Sequence, residues 1–203
     1  MCKVEKKKNV KYNNILEASF TLFEENGITA VPIDDIVKKA GVAKGTFYLY
    51  FKDKMDLISK IILLKATDYL QNKDYHKPIS DNETFEDYIK KYIDSIIDFL
   101  QKNITLTSLI DNNTHICVNA VIENHDGALN EIYNKIIEDF SKKGISEDEI
   151  RIKMYLYLNM IVSSSCNAIL REKPYKLDDI KKYLYNIIIS SIEASIAKLE
   201  VQI

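Results

Sequence analysis

Five glycines and three prolines are all that punctuate a chain of 203 residues, so few positions can break a helix or turn the backbone sharply. Between them the sequence is dominated by Ile, Leu, Lys, Glu, Asp and Asn, which favours long helices over a strand-rich fold. The chain is therefore predicted to be all-α. At 46% hydrophobic and 29% charged residues it can bury a sizeable core, as one large domain or two small ones.

The opening MCKVEKKKNVKY is basic, but neither a continuous apolar run nor a small-residue cleavage site follows, which argues against a secretory signal. Cys2, Cys117 and Cys166 are odd in number and lack CxxC spacing, as expected of reduced thiols rather than a disulfide framework. The longest uncharged run, Met154 to Leu170, is interrupted by Asn159, Ser163, Ser164, Ser165 and Asn167. It falls short of the ~20 apolar residues that a bilayer span requires. These features predict a cytoplasmic protein without a membrane partner, and a central helix buried by protein.

Net charge is −2, but residues 1–54 carry ten lysines against seven acidic residues, a balance of +3 that leaves −5 for the remainder. A basic head on an acidic body suits a protein that presents one end to a polyanion. Lys3, Lys6, Lys7 and Lys8 read as a solvated tail able to add nonspecific DNA affinity.

Apolar residues from Ile15 to Phe23 predict a helix over 14–25 that stops at Gly27. Pro32 presets the first turn of a second helix, which ends at Gly41. A third begins at Ala43 or Lys44, so about three residues separate the two, the length of a helix-turn-helix connection. At about 100° per residue Phe47 and Phe51 share one face of this helix. Gly45, Thr46 and Leu49 share the opposite face, with Lys44, Tyr48 and Tyr50 at the margins. A glycine at the start of an exposed face allows the backbone to come close to another surface, and the flanking lysines and tyrosines can hold phosphates.

Asp53 is expected to cap a fourth helix with Leu57, Ile58, Ile61 and Ile62 inward. The segment QNKDYHKPISDNET, residues 71–84, serves as the boundary to a second domain. Further helices are expected near 84–102, 105–112, 127–143, from Ser146 to about 172 with a Ser146–Glu149 capping box, and over 177–199.

The stretch ILEASFTLFEENG, followed by IDDIVKKAGVAKGTFYLYFKDKMDL, is similar to the N-terminal domain of the TetR family of bacterial transcriptional regulators over about residues 12–64. The resemblance implies a DNA-binding helix-turn-helix domain over 1–54 and a helical effector-binding and dimerisation domain over 55–203, joined by the fourth helix. It implies a dimeric regulator on double-stranded operator DNA, expected to be a repressor that a small-molecule effector releases. Thr46 and the Gly45 backbone are then expected near base edges, Leu49 at a thymine methyl, and Lys44, Tyr48, Tyr50 and Lys54 at phosphates. Two departures stand out: Val31 and Pro32 occupy positions where the family usually carries hydroxyls, and Ala43 replaces a common serine N-cap.

The resemblance also implies an effector cavity, with Tyr88, Tyr92, Tyr133, Tyr155 and Asn159 as candidate polar edges and Tyr157 as a further tyrosine able to line it. The nearly uncharged runs Met154–Leu170 and Tyr183–Ile192 predict burial on more than one side, with Ser163, Cys166, Ile187, Ser191 and Ala194 as candidate dimer contacts. An effector-independent adaptor or nucleoid protein of the same fold is the alternative. No cofactor is expected. GVAKGT lacks the order of a phosphate-binding loop, and no catalytic triad or glycine-rich nucleophile turn is present. His115, Cys117, Glu123 and His125 lie close in sequence, but His115 and Cys117 cannot share a helix face, so no metal site is expected.

Overall fold

The computed structural model describes residues 3–71, 84–123 and 127–200, and among these it contains ten helices and no strand. Side chains of Lys3, Lys6, Lys7 and Lys8, most of the boundary segment 71–84, and His125 lie outside the described residues. The chain divides into two compact units, residues 1–64 and 65–203.

The first unit holds α1 (Lys3–Asn26), α2 (Ile33–Lys39), α3 (Lys44–Tyr48) and the start of α4 (Lys54–Gln71). Helix α1 begins at Lys3 rather than Asn14, because the lysine-rich start contains no helix breaker and lysine is a good helix former. Its buried face is Ile15, Leu16, Ala18 and Phe23, while Phe20 and Leu22 are only half-buried. Pro32 stands at the N-cap of α2, one position earlier than expected, in an extended conformation.

Helix α2 ends as the sequence predicts. Gly41 takes φ +67°, its N–H donates to the Lys38 carbonyl at 3.3 Å, and the Val42 N–H donates to the Val37 carbonyl at 3.0 Å. These two bonds form a Schellman closure, which satisfies carbonyls that the helix end would leave free and turns the chain into α3. Helix α3 is only five residues long, too short to persist alone, and is held by Phe47 and Phe51, both essentially inaccessible to solvent. Helix α4 opens on a double cap. The Asp53 carboxylate accepts the Asp56 N–H at 2.9 Å, and the Asp56 carboxylate accepts the Lys52 N–H at 2.8 Å.

The second unit contains α5 (Phe85–Lys102), α6 (Ile104–Asn112), α7 (Thr114–Ile122), α8 (Gly127–Ser141), α9 (Glu147–Arg171) and α10 (Leu177–Glu200). Helix α9 is its axis and packs against α5, α6, α7, α8 and α10. Helix α7 is absent from the sequence-based expectation, since THICVNAVI is apolar with no clear helical period and rich in β-branched residues. Ser146 caps α9 by accepting the Glu149 N–H, but the Glu149 carboxylate turns to the Ser195 hydroxyl at 2.6 Å instead of closing the expected box. A complete capping box occurs at α5, between Thr84 and Asp87.

An alanine at position 41 would meet no neighbour within 4 Å, so its cost is purely the left-handed backbone that a Cβ disfavours. Gly41→Ala is expected to destabilise the chain by about 1–2 kcal/mol in urea unfolding; an unchanged midpoint would show that the turn relaxes freely.

Candidate nucleic-acid interface and cavity

Burial of Phe47 and Phe51 decides what α3 turns outward. Leu49 is 79% exposed and Tyr48 52% exposed, while Gly45 is exposed and has open space where a Cβ would stand. Gly45 does not have a positive φ, so neither backbone conformation nor internal packing requires a glycine there. An apolar side chain in water beside a glycine without an internal purpose marks a surface shaped for an external partner. Thr46 and Tyr50 are half-buried beside this ridge, and the Tyr50 ring meets Tyr12 edge-on at 5.8 Å. Lys44 pairs with Asp34 at 2.7 Å, and that hydrogen bond raises its pKa, so the ammonium stays charged at the margin of α3.

Lys54 sits elsewhere. Its ammonium donates to the carbonyls of Ile28 and Val31 and lies 5.7 Å from the centre of the Phe23 ring. Desolvation lowers its pKa. The side chain expected at a phosphate therefore ties the first turn of α4 to the α1–α2 connection. Its neighbour in role is Lys60, whose ammonium donates to the Tyr50 carbonyl at 3.1 Å and rests 5.2 Å from the Phe51 ring, a contact not expected from the sequence. An i,i+4 pair with Asp56 is the only signal that could have drawn attention to it.

The second unit holds a cavity of about 200 Å³, partly open to solvent, with walls drawn from α5, α7, α8, α9 and α10. Of the candidate effector residues, Tyr88, Tyr92 and Tyr133 line it and Tyr155 and Asn159 do not. Tyr155 is exposed, and Asn159 donates to the Tyr155 carbonyl. Tyr157, the other tyrosine candidate on α9, stands at the wall. Two positions along a helix turn a side chain by about 200°, so Tyr155 and Tyr157 must face opposite sides of α9. The Tyr88 and Tyr92 rings meet edge-on at 4.8 Å, the hydroxyls are 3.2 Å apart, and Tyr88 donates to Asp139 at 3.1 Å. Burial pushes both phenols up, so they remain protonated and neutral. Among the described residues no group of three His, Cys, Asp or Glu side chains converges as a metal site.

The outward faces of α9 and α10 carry apolar and small side chains in steps of four and three. Ile152 is 61% exposed and Leu156 55%, with Ser163 further along the same face; on α10 Tyr183 is 70% exposed and Ile187 51%, followed by Ser190, Ala194 and Ala197. Of the candidate dimer residues, Ser163, Ile187 and Ala194 are exposed. Ser191 is half-buried and accepts from Lys153 at 3.0 Å. Cys166 is fully buried within the chain and so contributes nothing to this exposed face. No helix among the described residues is long and apolar enough to cross a membrane.

Residues 15–61 match the family described as bacterial regulatory proteins, tetR family. The Transposon Tn10 TetC protein of Escherichia coli is 31% identical over 69% of this chain and 72% of its own length. The fatty acid metabolism regulator protein of Bacillus subtilis is 23% identical over 92% of this chain and 98% of its own. The fatty acid degradation regulator FadR from Bacillus halodurans shares the fold, with a TM-score of 0.56 and 19% identity over 88% of this chain and 94% of that one. A helix-turn-helix built as described, within a chain of this likeness, belongs to the tetR family of transcriptional regulators, which are DNA-binding proteins and not enzymes.

Proposed function

We propose that the protein is a cytoplasmic homodimer that reads a near-palindromic operator with α3 and leaves it when a small molecule occupies the cavity, acting as a repressor. The observation that carries the first part is the α3 ridge: Gly45 without an internal reason and Leu49 79% exposed, directly opposite the buried Phe47 and Phe51. On DNA, the Gly45 backbone and Thr46 approach base edges, Leu49 meets a thymine methyl, and Lys44, Tyr48 and Tyr50 hold phosphates. Lys54 acts from behind, as a strut under the connection that positions α2.

The outward stripes on α9 and α10 support the dimer. Steps of four and three are the repeat of helices that pack along a seam, and two helices from each copy form a four-helix bundle. Two-fold symmetry then presents two α3 helices to half-sites one DNA turn, roughly 34–36 Å, apart or at a longer spacing that matches the groove. The cavity supports an effector over the adaptor alternative, which requires a filled core. Helix α4 runs from Lys54 into the second unit, where Tyr69 on it donates to Asp98 and meets the Phe99 ring at 5.4 Å. Its two ends are thus fastened to different parts of the chain, and a ligand that favours another position of α4 disturbs the Lys54 strut.

Three substitutions test these assignments. Gly45→Ala is expected to keep or raise stability by up to about 1 kcal/mol, as alanine suits a helix better, while operator affinity falls at least about tenfold. Undiminished binding in a gel-shift titration would remove α3 from the interface. Lys54→Met is expected to cost about 1 kcal/mol of stability and to weaken binding without changing its salt dependence. A slope shallower by about one would instead place Lys54 on a phosphate. Ala194→Arg is expected to dissociate the dimer in sedimentation equilibrium and abolish tight operator binding with the N-terminal unit still folded; a monomeric unmodified chain at micromolar concentration would overturn the dimer.

A further inference from the structure

The polar groups around the cavity are nearly all committed to one another, and this narrows the chemistry of what can enter. Lys153 is the sole charged side chain among the described lining residues. Its ammonium donates to the Ser191 carbonyl at 2.9 Å and hydroxyl at 3.0 Å and lies 3.6 Å from the Glu149 carboxylate, so the wall receives its hydrocarbon stem. Ser95 donates to the Tyr92 carbonyl at 2.7 Å, Tyr133 accepts from Arg151 at 3.4 Å, and Tyr88 is shared between Tyr92 and Asp139. The exception is Tyr157. Its hydroxyl is buried and has no hydrogen-bond partner.

A carboxylate or phosphate entering this space would lose its hydration and find no uncommitted cation among the described lining residues. A neutral molecule pays no such cost, and one that carries an acceptor relieves the orphaned Tyr157 hydroxyl. Size sets a second bound. A cavity of about 150 Å³ admits benzene, so about 200 Å³ accommodates a molecule only modestly larger.

We infer that the cavity takes a neutral, largely hydrocarbon molecule of roughly ten non-hydrogen atoms with one hydrogen-bond acceptor, such as a medium-chain alcohol or ketone, oriented by Tyr157. The inference rests on the effector reading only for its consequence at the operator, since binding itself is measured without DNA.

The test is calorimetric titration of the full chain with n-hexanol, n-octanol, n-octanoate and toluene at pH 8. Each methylene that fits tightens binding about fourfold, so n-octanol is expected to bind about fifteenfold more tightly than n-hexanol. The octanoate anion is expected to bind at least about a hundredfold more weakly than n-octanol. Tyr157→Phe should weaken n-octanol about tenfold and leave toluene unchanged. This variant removes an unpartnered buried hydroxyl and so poses no threat to folding. Octanoate binding as well as octanol, octanol binding unaffected by Tyr157→Phe, or no binding by any neutral probe would each overturn the inference. Operator release is read in parallel by gel shift. Octanol binding without release leaves this inference standing and removes the effector reading; release by octanoate, with octanol inert, removes this inference and keeps the effector.

Discussion

Everything proposed for DNA recognition depends on two phenylalanines. A helix of five residues cannot set its own orientation, because nucleation costs more than so few hydrogen bonds return. Phe47 and Phe51, each worth about 2–3 kcal/mol when fully buried, set it instead. Tyr12 from α1 stacks on Phe51 at 5.2 Å, and Lys60 from α4 covers the same ring while bonding the Tyr50 carbonyl. Two helices thus clamp the end of α3, and the side left outward is the one with Gly45 and Leu49. The basic head identified from composition supplies attraction to a polyanion; the aromatic clamp gives it a direction.

The second unit solves a related problem with one long helix. Helix α9 touches five others, yet three of its faces meet different surroundings. Ile150, Met154, Tyr157 and Ile161 face the cavity, Val162, Ser165 and Cys166 are buried, and Ile152, Leu156 and Ser163 point outward. A helix that serves a cavity and an exposed apolar stripe together cannot show one hydrophobic face and one polar face, which is why Met154–Leu170 reads as uniformly uncharged.

That same uniformity limited what the sequence could reveal. The first unit was legible nearly residue by residue, from the Gly41 turn to the inward Leu57, Ile58, Ile61 and Ile62, because its glycines, caps and period agree. In α9 helix and length are legible but phase is not, so the sequence alone does not separate Tyr157, at the cavity wall, from the exposed Tyr155, or the exposed Ser163 from the buried Cys166. Helix α7 went unseen for want of a period or a capping side chain. The contacts of Lys54 are illegible for another reason. Its inward turn depends on carbonyls 26 and 23 residues away, and no local pattern encodes such a pairing.

The small cavity also constrains how release from DNA could work. Shifting a two-state protein from 1:99 to 99:1 requires a difference of about 5.5 kcal/mol between a ligand's affinities for the two states. At about 0.8 kcal/mol per buried methylene, a molecule of eight carbons gains roughly 6 kcal/mol in all. Nearly the whole of its binding energy must then be realised in one conformation only. A partial adjustment of the wall would leave enough affinity in the DNA-bound state to blunt the response. For such a molecule to release the protein fully, the DNA-bound conformation would have to close the cavity, and the isoleucines of α5, α8 and α9 that line it are the side chains that could fill the space. Release by so small a molecule is in this sense a change of core packing, and the long helices that line the cavity are the elements through which it would reach α4.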